Sequence, residues 1–158
     1  MFNNRVFYKT VDSTNDLLLK LVREKKVEKN TVLIADFQIK GRGQRNKKWH
    51  AERDKNLLIS LFLKPDNFLT KNVIYFNIIT SLSIVYVLKK YIRDLNISIK
   101  WPNDIFINKQ KIAGILIETS VLKRRVKQVI VGCGININQE EFPFSNNKPT
   151  SLFLILKK

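Results

Sequence analysis

The chain has 158 residues, of which 44% are hydrophobic and 27% are charged. This length fits a single domain, residues 1–158, and the composition excludes an intrinsically disordered chain, which would have few apolar residues and charge of one sign. Twenty-nine lysines and arginines against 13 acidic residues give a formal net charge of +16, so polyanions are the first partners to consider. The lysines are scattered along the chain, which favours a general compositional bias over a dedicated polyanion-binding face and leaves the second open.

The single cysteine, Cys133, and the single histidine, His50, exclude an internal disulfide and a Cys- or His-rich metal site. One unpaired cysteine suits a reducing compartment. Residues 1–10 lack the apolar core of a signal peptide, so we expect a cytoplasmic protein.

Hydrophobic periodicity predicts the elements of the first half of the chain. Short β-rich runs predict strands at residues 5–10, 31–37 and 56–63. Leucines at helical spacing predict a helix at about residues 13–26. Asp12, Ser13 and Thr14 offer the N-cap oxygens with which such a helix begins.

The second half begins with a predicted helix at about residues 70–95, whose wide apolar face predicts a core helix. Its uncharged run at 72–88 is shorter than the ~20 apolar residues of a membrane span, so we expect no membrane. Further strands are predicted at 97–101, 105–108, 111–119 and 126–134, with tight turns at 108–110 and 122–125. The sequence therefore predicts an α+β fold, in which helices back a mixed β-sheet.

Residues 38–55 form a polar connection that is long for a compact domain, and long ordered loops are often functional. Within it, residues 41–49 (GRGQRNKKW) combine two glycines, four cations and a tryptophan. Glycines let a backbone approach a ligand closely, and cations neutralise phosphate or carboxylate charge. From these residues alone, an anion-binding loop and a flexible solvated loop are both open.

Residues 100–104 (KWPND) place Asn103 and Asp104 at the apex of a loop between two strands. Asn103 can fix a polar ligand, and Asp104 can hold Mg²⁺ or orient an incoming amine. The alternative is an ordinary turn of proline, asparagine and aspartate. Lys111 begins the next strand, where it either reaches a ligand at the sheet edge or is a surface lysine like most others.

Residues 132–136 (GCGIN) place Gly132 and Gly134 on either side of Cys133, and Asn136 follows them. Two glycines at the end of a strand suit the close approach of a flat ring, and a strand bulge is the alternative. Cys133 has no second cysteine to pair with, so we expect a small core residue.

In this order and spacing, the segments at 38–49, 100–104, 111–118 (KIAGILIE) and 132–136 resemble the catalytic domain of biotin protein ligases. The Ser-Thr-Asn at 13–15 and the Pro-Thr-Ser-Leu at 149–152 extend the resemblance over most of the chain. The resemblance implies the mixed-sheet fold that these enzymes share with lipoate ligases and class II aminoacyl-tRNA synthetases.

The resemblance also implies an ATP-dependent ligase that works in two steps. Biotin reacts with Mg-ATP to give biotinyl-5′-AMP, and the biotinyl group then passes to a lysine of an acidic biotin carboxyl carrier domain, such as that of acetyl-CoA carboxylase. Homodimers occur in the family. Because the repressor-type DNA-binding domain lies outside the resemblance, we expect no specific DNA binding. Family members usually continue into a small β-barrel domain, so we expect a catalytic domain with a truncated C-terminus.

The residue roles that the resemblance implies fall into three groups. Catalytic roles go to Lys111, Arg42 and Asp104, and Asp104 is also the candidate Mg²⁺ ligand. The biotin site comprises Ser13, Thr14, Asn15, Gln38, Gly41, Arg42, Gly43, Gln44, Lys111, Gly114 and Ile115. The ATP site comprises Arg45, Trp49, Asn103, Lys111, Gly132, Gly134 and Asn136.

Gln44 departs from the pattern of some well-known members, which carry at this place an arginine that helps to retain the adenylate. A glutamine keeps hydrogen bonding and gives up the charge, which predicts a leakier intermediate. Two other functions stay open. One is a lipoate or octanoate ligase on the same fold, and the other is a non-catalytic remnant that binds polyanions through the basic loop.

Overall fold

The computed structural model describes residues 4–92, 95–143 and 148–157, in which seven strands form one sheet. The strands are β1 (Asn4–Tyr8), β2 (Thr31–Ala35), β3 (Asn56–Leu63), β4 (Ile97–Lys100), β5 (Asp104–Ile107), β6 (Gln110–Leu122) and β7 (Arg125–Asn136). Their order across the sheet is β1-β2-β3-β7-β6-β5-β4, with β1 parallel to β2 and every other pair antiparallel. The predicted mixed sheet is confirmed.

Three α-helices accompany the sheet: α1 (Thr14–Arg23), α2 (Ile74–Tyr91) and α3 (Leu152–Leu156). The predicted N-cap of α1 is present, since the Ser13 hydroxyl accepts a hydrogen bond from the Asp16 amide at 3.4 Å. Ser151 caps α3 in the same way, through the Leu154 amide at 3.2 Å. Both helices therefore begin where a hydroxyl satisfies a free amide.

The two faces of the sheet carry different layers because side chains alternate along a strand. On β7, Val129 and Val131 belong to the larger hydrophobic cluster, which also includes residues of α2. Ile130, between them, belongs to a smaller cluster with Leu18 and Val22 of α1. Helices α1 and α2 therefore cover opposite faces, and the even-numbered residues of β7 from Ile130 to Asn136 face the α1 side.

The two long hairpins of the second half end in two-residue turns. Asn108 and Lys109 join β5 to β6, and Lys123 and Arg124 join β6 to β7; all four have positive φ. Two successive residues with positive φ are typical of type I′ turns, whose twist matches that of the strands. The predicted turns and the meander from β4 to β7 are confirmed.

Helix α2 differs from its prediction as a core helix. Asn77, Ser81, Ile84 and Leu88 are buried, but Ile79, Leu82 and Tyr86 are each more than half exposed. The helix is apolar on all sides, and only one side can contact the sheet, so apolar composition overstated its burial. The segment Thr70–Tyr91, with a mean hydropathy of 1.4, is also long and apolar enough to cross a membrane. Core helices of soluble proteins share this length and composition.

Candidate active site

A pocket of about 840 Å³ opens on the α1 face of the sheet, over β6 and β7. This volume is in the range of small-molecule sites. Every site residue predicted from the sequence except Gly41 lines it. These residues are Ser13, Thr14, Asn15, Gln38, Arg42, Gly43, Gln44, Arg45, Trp49, Asn103, Asp104, Lys111, Gly114, Ile115, Gly132, Gly134 and Asn136. Five separate segments of the sequence therefore meet at one place.

The segment 41–49, here called the basic loop, is ordered by its own backbone. The Gly43 amide donates to the Lys47 carbonyl at 2.6 Å, and the Trp49 amide donates to the Gly41 carbonyl at 2.8 Å. A side chain at Gly41 would collide with the backbone of Trp49. Gly41 thus supports the loop from behind. The loop has backbone hydrogen bonds of its own and its cations are exposed, so the anion-binding loop and the solvated loop both stay predictions.

Trp49 lies flat against the sheet. A Cβ at Gly114 or at Gly134 would collide with its indole ring, so these glycines provide the space that the ring fills. The flat ring that the glycines were predicted to accept is, in this structure, the protein's own tryptophan. At Gly132 the neighbour is the Asn15 amide, which a Cβ would also strike. The assignment of Gly132 and Gly134 to ATP stays a prediction.

A cluster of four polar side chains, here called the buried polar cluster, lies beside Gly132; its members are Thr14, Asn15, Gln38 and Ser60. Gln38 Oε1 accepts from the Thr14 amide at 2.8 Å and lies 2.9 Å from Thr14 Oγ1. Ser60 Oγ lies 2.8 Å from Thr14 Oγ1 and 2.6 Å from Asn15 Oδ1. The cluster joins α1, β3 and the connection after β2.

This cluster has one hydroxyl hydrogen fewer than it has contacts between oxygen atoms. Three contacts between oxygen atoms share two hydroxyl hydrogens, those of Thr14 and Ser60. The amide oxygens of Gln38 and Asn15 carry no hydrogen. Gln38 turns its oxygen to the cluster because that oxygen accepts from the Thr14 backbone amide. Asn15 turns its oxygen to the cluster because its Nδ2 donates to Leu116 and Glu118. A ligand that brings N–H donors to this cluster would therefore meet surplus acceptors.

Arg42 is held by two carboxylates, and the three residues are here called the Arg42 ion cluster. Its Nη2 lies 2.7 Å from Asp16 Oδ1 and 2.8 Å from Glu118 Oε2. Partial burial opposes the charged form, but the hydrogen bonds to Glu118 and the charges of Glu118 and Asp16 outweigh it and raise the pKa of Arg42. The sequence did not indicate these partners, and the catalytic role of Arg42 stays a prediction.

Lys111 and Asp104 form an ion pair in the pocket, with Nζ 2.7 Å from Oδ1 and side chains only 18% and 15% exposed. Lys111 Nζ also lies 5.6 Å from the centroid of the Trp49 ring, within the range of a cation–π contact. The structure thus brings together the predicted catalytic lysine and aspartate. Among the described residues that line the pocket, Asp104 is the one carboxylate.

Asn103 and Asn136 are oriented by the backbone. Asn103 Nδ2 donates to the Ile115 carbonyl at 3.1 Å, which ties the turn at 100–104 to β6. Asn136 Nδ2 donates to the Thr150 carbonyl at 2.9 Å. Asn136 Oδ1 and Trp49 Nε1 are buried and have no hydrogen-bond partner within the described ranges. Such atoms are costly unless a ligand or water satisfies them, so both are candidate ligand contacts.

The pocket residues follow a fixed order along the α1 face of β7. Asn15 lies against Gly132, Trp49 against Gly134, and the side chain of Asn136 comes next. Successive positions on one face of a strand are about 6.6 Å apart. Lys111 Nζ would be 3.4 Å from a Cβ at Gly114, which pairs with Gly134. The lysine therefore lies between the buried polar cluster and Asn136.

The lining contains further cations, namely Arg45, Lys47, Lys48 and Lys100, all of them exposed. No group of three or more His, Cys, Asp or Glu side chains that could hold a metal ion occurs in the described part of the chain. A polyphosphate therefore meets positive charge at this pocket, and a metal would need ligands from the substrate.

Sequence reasoning missed Ser60, Asp16 and Glu118. Ser60 carried a usable signal, because it is a polar residue at the middle of the apolar run 56–63, in phase with the buried Leu58 and Phe62. Glu118 ends the segment 111–118 and is part of the resemblance, but nothing in the sequence pairs it with Arg42. Asp16 fits the usual pattern of an acidic residue in the first turn of a helix, so it gave no sign of a role in the site.

Comparison with known proteins decides the family. The profile of the biotin/lipoate A/B protein ligase family matches residues 6–136. This chain belongs to that family. The bifunctional ligase/repressor BirA of Bacillus subtilis is 33% identical over 145 residues, which make up 90% of this chain and 44% of that protein. BirA of Escherichia coli is 33% identical over 127 residues, 80% of this chain and 38% of that protein.

Solved structures confirm the predicted fold. The biotin protein ligase of Aquifex aeolicus in complex with biotin and ATP superposes with a TM-score of 0.81 and 35% identity, over 99% of this chain and 62% of that chain. The α+β sheet is thus that of the biotin protein ligases, which share the fold of class II aminoacyl-tRNA synthetases. The chain spans less than half the length of the BirA relatives and about three fifths of the solved ligase.

Proposed function

We propose that this chain activates biotin with ATP to biotinyl-5′-AMP and transfers the biotinyl group to a lysine of a carrier protein. The observation that carries the proposal is the order of groups in the pocket: acceptor-rich polar cluster, then Lys111, then Asn136. This order suits two ligands that lie end to end: an acid, with its polar head group first and its carboxylate next, and then a nucleotide. Membership of the family supports the same reading.

The buried polar cluster favours a ureido head group. A ureido ring offers two N–H donors and one carbonyl acceptor, and the cluster has more acceptors than hydrogens. The dithiolane of lipoate offers no donor to these acceptors and would gain none of the hydrogen bonds that a ureido ring makes, each of which contributes roughly 0.5–1.5 kcal/mol. Biotin is therefore favoured over lipoate or octanoate within the family.

Charge favours one orientation of the acid. The Arg42 ion cluster holds one positive and two negative charges and contacts Asn15 of the buried polar cluster. A substrate carboxylate is repelled there and attracted to Lys111. The head group therefore lies inward and the carboxylate lies beside Lys111, where the nucleotide begins.

In the first step, an oxygen of the biotin carboxylate attacks the α-phosphorus of ATP. A new oxygen–phosphorus bond forms as the bond from the α-phosphorus to pyrophosphate breaks. Both reactants are anionic, so Lys111 neutralises charge on the carboxylate and on the α-phosphate. Asn136 Oδ1, which is buried without a partner among the described residues, suits the amino group of adenine.

We propose a magnesium site at Asp104, because its carboxylate lies in the pocket. Mg²⁺ in nucleotide sites is held by one or two carboxylates together with substrate phosphates, and Asp104 offers one carboxylate beside the nucleotide position. When bound there, the ion neutralises phosphate charge. Asn103, whose Nδ2 is tied to β6, leaves its side-chain oxygen for the same region.

In the second step, the amine of the acceptor lysine attacks the carbonyl of the mixed anhydride. A carbon–nitrogen bond forms, the carbon–oxygen bond to phosphate breaks, AMP leaves, and the amine loses a proton. Asp104 is proposed to orient this amine. The exposed cations at the pocket favour an acidic carrier domain, chiefly through faster encounter. We place the reaction in the cytoplasm, and pairing of two copies of the chain stays a prediction.

The experiment incubates the purified protein with α-labelled ATP, Mg²⁺ and, in parallel, biotin, lipoate, octanoate or no acid. We expect an adenylate with biotin alone and, after addition of a biotin carrier domain, loss of the adenylate with labelling of the carrier. An adenylate from lipoate or octanoate would favour the other ligases of the family. A folded protein that forms no adenylate contradicts the proposal, and salt-sensitive nucleic-acid binding unaffected by biotin would then support the polyanion-binding alternative.

A further inference from the structure

We propose that Glu118 is a positioning residue that holds the basic loop closed over the pocket through Arg42 and, with the same carboxylate, fixes Asn15 in the buried polar cluster. Its expected effect on biotin kinetics rests on the proposed function. Its expected effect on the loop does not.

One carboxylate makes both contacts. Glu118 Oε2 accepts from Arg42 Nη2 at 2.8 Å and from Asn15 Nδ2 at 2.8 Å, and Oε1 accepts from Arg42 Nη2 at 2.9 Å. Asn15 is 2% exposed and Ser60 is fully buried. Because Asn15 Nδ2 faces Glu118, its Oδ1 faces Ser60, so Glu118 sets which end of this amide enters the cluster.

The sheet places Glu118 where it can do this. On β6, Gly114, Leu116 and Glu118 pair with Gly134, Gly132 and Ile130 of β7, so they share the α1 face. The two glycines of β7 leave space for Trp49 and Asn15, and the side chain of Glu118 follows in the same row. The carboxylate therefore lies beside the pocket and beneath the beginning of the basic loop.

The basic loop is fixed to the rest of the protein near both of its ends. At its end, Trp49 packs on Gly114 and Gly134. Near its start, Arg42 pairs with Glu118 of β6 and with Asp16 of α1. The two carboxylates outnumber the single positive charge of Arg42, so its side chain contributes to loop closure rather than to positive charge at the substrate.

The central variant is Glu118→Gln, which keeps the size of the side chain and an oxygen for Asn15 and removes the charge that holds Arg42. The matched control is Asp12→Asn. It removes another carboxylate near the start of the loop, paired with Lys40 at 2.9 Å, from a residue that does not line the pocket. Both pairs are partly exposed, so neither variant should unfold the protein.

The first measurement is hydrogen exchange of the Gly43 and Trp49 amides in the ligand-free protein. Both amides are bonded within the loop. We expect exchange to quicken about fivefold in Glu118→Gln, by the magnitude of one partly exposed charged pair, and to stay unchanged in Asp12→Asn. Equal exchange in wild type and Glu118→Gln would overturn the proposal, even if the protein proved to bind no biotin.

The second measurement separates positioning from general stability. In Glu118→Gln we expect the KM for biotin in adenylate formation to rise about five- to tenfold, with kcat within twofold and an unchanged melting temperature. In an Arg42→Ala background, the exchange effect of Glu118→Gln should disappear, because the carboxylate acts on the loop through Arg42. A fall in kcat at unchanged KM, or full additivity of the two substitutions, would contradict the assignment.

Discussion

The two ends of the pocket use polar residues in opposite ways. The buried polar cluster is neutral and consists of the buried Thr14, Asn15 and Ser60 and the partly buried Gln38, which contact one another directly. The other end is charged: Lys111 pairs with Asp104, and exposed cations from the basic loop and the turn at 100–104 surround it. The first end can select a ligand by its hydrogen-bond pattern, and the second can bind and activate an anion.

The difference follows from how each end is built. Ser60 and Asn15 come from regular elements and are fixed by the sheet and by α1, so their geometry is set before any ligand arrives. Lys111 and Asp104 lie near the starts of β6 and β5, where the sheet meets loops. Binding specificity and reaction rate should therefore respond to different substitutions.

The largest effect is expected at the charged end. Lys111→Ala should lower the rate of biotinyl-AMP formation about 10²–10³-fold, because it removes the cation shared by the two reacting anions, and should change biotin binding far less. Adenylate formation with labelled ATP measures the rate, and calorimetry measures the binding.

Lys109→Ala serves as the control, since Lys109 is an exposed turn residue two positions away. Because Lys111→Ala leaves Asp104 unpaired, Lys111→Gln is measured in parallel and its melting temperature is checked. A loss of less than tenfold in both variants would show that the rate does not depend on this lysine.

The next effect concerns retention of the adenylate at the basic loop. Gln44 lines the pocket, and Gln44→Arg would add a charged hydrogen-bond donor, worth roughly 1.5–3 kcal/mol where it meets an anion. We expect release of biotinyl-AMP to slow at least about tenfold, as measured by trapping with free amine. Release that is already slow in wild type and unchanged in the variant would refute the predicted leakiness.

A smaller effect is expected in the buried polar cluster. Ser60→Ala removes one hydroxyl and should weaken biotin binding roughly two- to tenfold while leaving lipoate binding and kcat unchanged. The control is Ser98→Ala, because Ser98 is exposed on the edge strand β4. Equal weakening of biotin and lipoate would mean that the cluster does not select the head group.

The smallest effect is expected at Cys133, whose side chain belongs to the larger hydrophobic cluster. Burial raises the pKa of this thiol from 9.0 to about 12, so the folded protein keeps it protonated at pH 8. Alkylation by iodoacetamide at pH 8 should be far slower than in urea-unfolded protein. Since the unfolded thiol ionises first, this residue lowers the free energy of unfolding as pH rises from about 9 toward 12. Rapid alkylation of the native protein would show that the thiol is accessible.

The sequence predicted the sheet strands and both main helices, because local periodicity reports on these directly. The candidate site residues came from the resemblance to a family, and all of them except Gly41 line one pocket. The sequence did not predict the Arg42 ion cluster, because a charge pair between residues 42 and 118 leaves no local pattern. The sequence also predicted that a ligand would fill the space above Gly134, but Trp49 fills it in the structure. The exposure of Ile79 and Leu82 on α2 escaped prediction because apolar composition does not say which side of a helix meets the sheet.

The most direct test of the account is a crystal structure of the protein with biotin. We expect the ureido ring to contact Thr14 and Gln38, its N–H groups to reach the surplus acceptors of the buried polar cluster, and the carboxylate to lie beside Lys111. Biotin bound with its carboxylate toward Arg42, or bound outside this pocket, would contradict the division of the site into a selecting end and an activating end.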